Sequence, residues 1–205
     1  MTVDPIIELH ADISTPDPHQ DVFFKKTLGF WIYLMTDCLI FATLFSAYAV
    51  LHTSTFGGPS SKDIYSLPRA FIETVCLLIS SATWGLGILA VIRNHKKSAL
   101  IWMAVAFICG ATFVAMELTE FSGLVADGNS WRRSAFLSSF FALVGTHGLH
   151  VSIGLFWMII VIGQLLFKGV TKETFSRLII FSMFWHFLDL VWIFIFTFVY
   201  LMGVI

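Results

Sequence analysis

Charge is scarce in this sequence. Lys, Arg, Asp and Glu together make up 12% of its residues, against about 25% in an ordinary soluble domain. The 12 Lys and Arg and 13 Asp and Glu leave a formal charge of -1. There is no general cationic field for a phosphate backbone, so nucleic acid is excluded as a partner. Cysteine is rare as well. Cys38, Cys76 and Cys109 lie in separate apolar stretches with no CxxC pair, which leaves thiolate zinc sites, iron–sulfur clusters and a disulfide framework without support. These cysteines read as small apolar side chains packed between helices. The first 21 residues contain no Lys or Arg and no apolar core, so they do not form a secretory signal. Asp4, Glu8, Asp12, Asp17 and Asp21 with Pro5, Pro16 and Pro18 make residues 1–22 an expected mobile acidic tail rather than a long helix. No internal repeat is visible, which argues against an inverted-repeat transporter.

Apolar residues fill what is left. They make up 58% of the 205-residue chain, with 22 Phe and 7 Trp, and the mean hydropathy is +0.86. A soluble fold of this size cannot hide that much apolar surface, and a disordered chain is excluded by the same composition. Crossing ~30 Å of hydrocarbon takes about 20 apolar residues as a helix. Five runs qualify, over about 29–51, 70–92, 98–122, 134–167 and 178–203. They are far longer than a barrel strand and do not alternate, and helices satisfy their own backbone in lipid. The expected fold is therefore all-α: a polytopic bundle of five transmembrane helices over 23–205. The fourth run has no Asp, Glu, Lys or Arg between Ser134 and Phe167 and must tilt or protrude. The breaks carry turn chemistry, such as Gly57-Gly58-Pro59 and Asp127-Gly128-Asn129-Ser130.

Five spans put the termini on opposite sides. Lys25, Lys26, Arg93, Lys96, Lys97, Lys168, Lys172 and Arg177 fall on the N-terminal side, and Lys62, Arg69, Arg132 and Arg133 on the other. The positive-inside rule then places the N-terminus in the cytoplasm and the C-terminus outside.

Ionisable groups inside a bilayer mark a pathway, a pair or a bundle interior. Two clusters are expected. An inner-to-middle one holds Asp37, His147, His150, His186 and Asp189, with His147/His150 and His186/Asp189 each at i, i+3 on one helix face. It reads as a hydrogen-bonded network fixing helix docking, as a proton-linked element, or as metal or haem ligands. An outer acidic cluster holds Glu73, Glu117 and Glu120, read as solvated at the interface or in contact with lipid headgroups. His147 and His150 share a helix face and cannot clamp one haem between them, but either of them with His186 can, as in a stand-alone b-type membrane cytochrome. A haem–copper oxygen-reducing centre needs about six intramembrane histidines, and only these three lie in the spans.

Several stretches resemble a known family. Phe30-Trp31-Ile32-Tyr33-Leu34-Met35-Thr36-Asp37, Met116-Glu117-Leu118-Thr119-Glu120-Phe121, Thr146-His147-Gly148-Leu149-His150-Val151 and Trp185-His186-Phe187-Leu188-Asp189-Leu190-Val191-Trp192 are similar, in order, to motifs of subunit III of haem–copper terminal oxidases. The resemblance covers about residues 23–203. The five-helix form and the loop Gly57–Ile64 are similar to the bacterial bo-type ubiquinol oxidase branch of that family. In the wider family the position of Asp37 is commonly a carbodiimide-reactive Glu, whereas Asp stands there in the quinol-oxidase branch. The resemblance implies a chain with no catalytic residue, no metal and no cofactor of its own. It implies haem and copper in a partner subunit I, contacts with subunits II and IV, bound phospholipid, and a place in the bacterial inner membrane. It also implies a complex that oxidises ubiquinol, reduces oxygen to water and pumps protons. Subunit III of a cytochrome c oxidase is the alternative.

Overall fold

The computed structural model describes the backbone of residues 18–55, 57, 66–201 and 203, and side chains from residue 23 onward. Most of the expected acidic tail, and the loop over 58–64, lie outside the described residues. Five helices follow one another: α1 Pro18–Leu51, α2 Leu67–Ile92, α3 Lys96–Ala126, α4 Ala135–Lys168 and α5 Lys172–Ile195. A π-helical turn, Phe196–Leu201, continues α5. Each of the five is long and apolar enough to cross a membrane. No strand occurs among the described residues.

The helices run beyond the apolar stretches that announce them. α1 begins at Pro18, well before Gly29. Proline suits a first helical position, where its missing N–H has no intrahelical partner in any case. α5 begins at Lys172 rather than Leu178. The Thr171 side chain caps it by accepting from the Thr174 N–H at 3.1 Å, and Glu173 complements the helix dipole in the first turn. Hydropathy marks where charge stops, not where the helix starts. Asp37 lies roughly 28 Å from the start of α1 and about 21 Å from its end, and His186 lies roughly 21 Å into α5. Both sit near mid-helix.

Turns are short and locally encoded. Asn94 takes a left-handed conformation (φ 58°) between α2 and α3. Gly128 (φ 77°) ends α3, with Gly128 N–H donating to Val125 O at 3.1 Å and Asn129 N–H to Leu124 O at 2.9 Å. That pairing is a Schellman closure, and glycine adopts its backbone without a Cβ penalty.

α4 and α5 form the middle of the bundle. α1 packs chiefly on α4 and α5, and α2 on α3 and α5. Trp84, Trp185, Trp192, Phe113, Phe136, Phe140 and Phe181 are fully buried. Trp185 is held most closely. Its ring lies against Gly110 of α3 and Gly154 of α4, where an added Cβ would fall within 3.0 Å and 2.9 Å of it. Its indole N–H donates to Ser80 Oγ at 3.1 Å, and that hydroxyl donates to Ala106 O at 2.7 Å. One tryptophan thus ties four helices together.

Candidate functional site

The mid-helix polar residues do not form one continuous network among the described residues. They divide into three groups. Asp37 on α1 faces His150 on α4, with Nε2 to Oδ2 at 3.9 Å. His150 Nδ1 lies 2.7 Å from Thr146 O. A carbonyl only accepts, so Nδ1 carries the hydrogen and Nε2 is the atom turned toward Asp37. The second group joins α5 to α2. His186 Nδ1 meets Ser81 Oγ at 2.6 Å, and Asp189 lies beside the same serine. Ser81 has one proton to give. Its hydroxyl can donate to one of the two side chains while accepting from the other.

His147 stands apart. It is 0% exposed, and neither ring nitrogen has a hydrogen-bond partner. It stacks on Trp192 at 5.3 Å and meets the edges of Phe113 at 5.9 Å and Phe41 at 6.3 Å. The i, i+3 spacing that suggested a shared role turns His150 toward α1 and His147 into the bundle axis. Rings this close on three sides leave no slot for a macrocycle beside His147.

The acidic cluster does assemble. Glu73 of α2 and Glu117 and Glu120 of α3 each offer a carboxylate oxygen within 4.8 Å of the other two. Antiparallel packing of α2 on α3 brings the start of one helix beside the end of the other, so residues distant in sequence share one level. The three point into the bundle rather than toward lipid: Glu73 is 0% and Glu117 4% exposed. The carboxylates face one another more than the outside of the bundle. The reason is that both helices turn these positions toward their shared interface. Arg69, one turn before Glu73, completes the group and was missed in the sequence because it reads as a loop charge. Its Nε lies 3.6 Å from Glu73 Oε1. Its Nη2 donates to Met116 O at 2.7 Å and to the Thr119 hydroxyl.

Between the acidic group and the midplane, Trp192 donates its indole N–H to Thr74 Oγ1 at 3.0 Å. Trp192 and Trp185 lie seven residues apart on one face of α5, and each hydrogen-bonds a hydroxyl of α2. The tryptophans bracketing His186 and Asp189 therefore act as anchors for helix docking.

Near the far end of α1, a groove of about 610 Å³ opens between α1 and the π turn, lined by Ala42, Phe45, Tyr48, His52, Phe194 and Phe198 among others.

Comparison with known proteins agrees with this architecture. The family model for cytochrome c oxidase subunit III matches residues 18–204. The cytochrome bo(3) ubiquinol oxidase subunit 3 of Pseudomonas aeruginosa is 53% identical over 179 residues, covering 87% of this chain and 86% of that protein. The quinol oxidase subunit 3 of Bacillus spizizenii is 46% identical over 195 residues, covering 95% and 96%. That of Bacillus subtilis is 45% identical over the same length.

Proposed function

Since this chain belongs to the cytochrome c oxidase subunit III family, we propose that it is the third subunit of a bacterial ubiquinol oxidase. It is a multi-pass membrane protein and one member of a multi-subunit oxidoreductase. The observation that carries the reading is the identity of about half the residues with a ubiquinol oxidase subunit 3 along nearly the full length of both chains. The oxidase complex oxidises ubiquinol, reduces oxygen to water and moves protons outward. Haem and copper sit in subunit I, and this chain holds neither.

Its own residues act on helix docking. Asp37 with His150 fastens α1 to α4, and Ser81 with His186 and Asp189 fastens α2 to α5. Intramembrane hydrogen bonds average about 0.6 kcal/mol and reach about 1.7, so several together are needed to hold a bundle against turnover. Subunit I is the main partner, with subunits II and IV, and phospholipid fills the apolar grooves. The N-terminus lies in the cytoplasm, because eight Lys and Arg flank that side against four on the other.

The test is gentle purification through a tag on this chain. A larger, histidine-rich, haem-bearing polypeptide that supports quinol-driven oxygen uptake is expected to come with it. Recovery of the chain alone with a haem band of its own refutes the reading. A dinuclear copper site in the co-purifying subunit II assigns it instead to a cytochrome c oxidase.

A further inference from the structure

Glu73, Glu117 and Glu120 pose a problem of charge. Three carboxylates face one guanidinium, so the fully ionised group carries two uncompensated negative charges in the bundle interior. Unpaired charge is costly there. Arg69 offsets only one of the three charges: its Nη2 bonds Met116 O and Thr119, and its Nε approaches Glu73 at 3.6 Å. Glu117 is the sharpest case. It is 4% exposed, neither carboxylate oxygen has a hydrogen-bond partner, and the side chain is aimed into the cluster. Both oxygens of Glu73 are buried without a hydrogen bond as well.

We propose that Glu73, Glu117 and Glu120 bind one hard divalent cation of the calcium class, which locks α2 to α3 near the far end of the bundle. The donor set is all oxygen. Three carboxylates supply up to six oxygens, within the ~6–8 that calcium takes. Oxygens on opposite sides of such an ion lie about 5 Å apart, from ion–oxygen distances of about 2.3–2.6 Å, and the three carboxylates already offer atoms within 4.8 Å of one another. A divalent ion also leaves the group neutral with Arg69 present. A lipid ammonium group would cancel only one charge and would have to reach carboxylates that are almost wholly buried. Arg69, beside the three carboxylates, is 36% exposed.

The experiment measures calcium bound per chain. The protein is extracted in detergent with its natural partners, stripped with chelator, re-equilibrated with radiolabelled calcium and counted. Wild type is expected to hold one more calcium per chain than Glu117→Gln, and the same number as Glu173→Gln, whose carboxylate is exposed at the start of α5. Glu120→Gln takes the place of Glu117→Gln if that variant fails to accumulate. Calcium is also expected to slow heat inactivation of wild type and not of the cluster variant. Equal calcium in wild type and cluster variant means that protons balance the two charges, and overturns the proposal. Because binding is counted per chain, the result stands whether or not the co-purifying partners prove to be those of a quinol oxidase.

Discussion

Replacing Gly154 by alanine tests whether the Trp185 cradle holds the bundle together. An alanine Cβ there would lie 2.9 Å from Trp185 Cζ3 and 3.1 Å from Phe184 Cε1. Carbon atoms prefer about 3.5–4.0 Å, so a rigid ring must retreat by more than half an ångström. Trp185 has nowhere to go. Gly110 closes its other side, where even a Cβ would sit at 3.0 Å, and Ser80 holds its N–H. Overpacking of this kind costs about 1–3 kcal/mol. Alanine also recovers about 0.8–1.0 kcal/mol of helix propensity, which masks part of the loss. Gly163→Ala on the same helix supplies the correction, since a Cβ there meets nothing within 4 Å. The difference between the two variants isolates packing, and about 1–3 kcal/mol corresponds to roughly 5- to 150-fold in an equilibrium. The assay is retention of this subunit by the tagged oxidase after a heat step in detergent, read across temperature. Equal retention of Gly154→Ala and Gly163→Ala would refute the argument.

Ser80→Ala strips the acceptor from the buried Trp185 N–H. The expected cost is about 1–2 kcal/mol, toward the upper end for intramembrane hydrogen bonds, and a double-mutant cycle with Trp185→Phe measures the coupling. Asp37→Ala removes the only ion-pair partner given to His150 among the described residues. It is expected to weaken assembly or shorten turnover lifetime while the haem spectrum of the purified complex stays intact; loss of a haem band counts against it. His147→Leu is expected to leave assembly and haem content within about 1 kcal/mol of wild type, because neither ring nitrogen has a partner to lose. His150→Leu, which orphans Asp37, is expected to be the more damaging of the two when subunit retention is compared.

Helix number and the acidic cluster were legible in the sequence for simple reasons. Long uncharged runs have one solution in lipid. Glu73 opens one run while Glu117 and Glu120 close the next, so an antiparallel pair has to bring them to one level. The fate of the histidines was not legible. Spacing of i, i+3 places His147 and His150 on one broad face, but about 60° of rotation separates them, and the aromatic rings of α1, α3 and α5 decide which is caged. Arg69 was missed because it lies in the first turn of α2, just after a loop, where positive charge ordinarily meets solvent. The π turn at Phe196–Leu201 has no compositional mark. It arises where Val199 and Tyr200 are both buried, Tyr200 against Trp192 at 6.1 Å and Phe140 at 6.2 Å. The extra residue in the turn turns two neighbouring side chains inward.

The placement of α1 bears on how the chain is made. It leaves the ribosome first, yet its main neighbours, α4 and α5, are the last two helices synthesised. Through most of translation α1 has lipid, or an insertion factor, as its only company, with Asp37 lacking His150. Docking of α1 therefore waits until the fourth and fifth helices arrive. A nascent chain stalled before residue 135 should leave α1 open to quality-control proteases, and one stalled after the π turn should not.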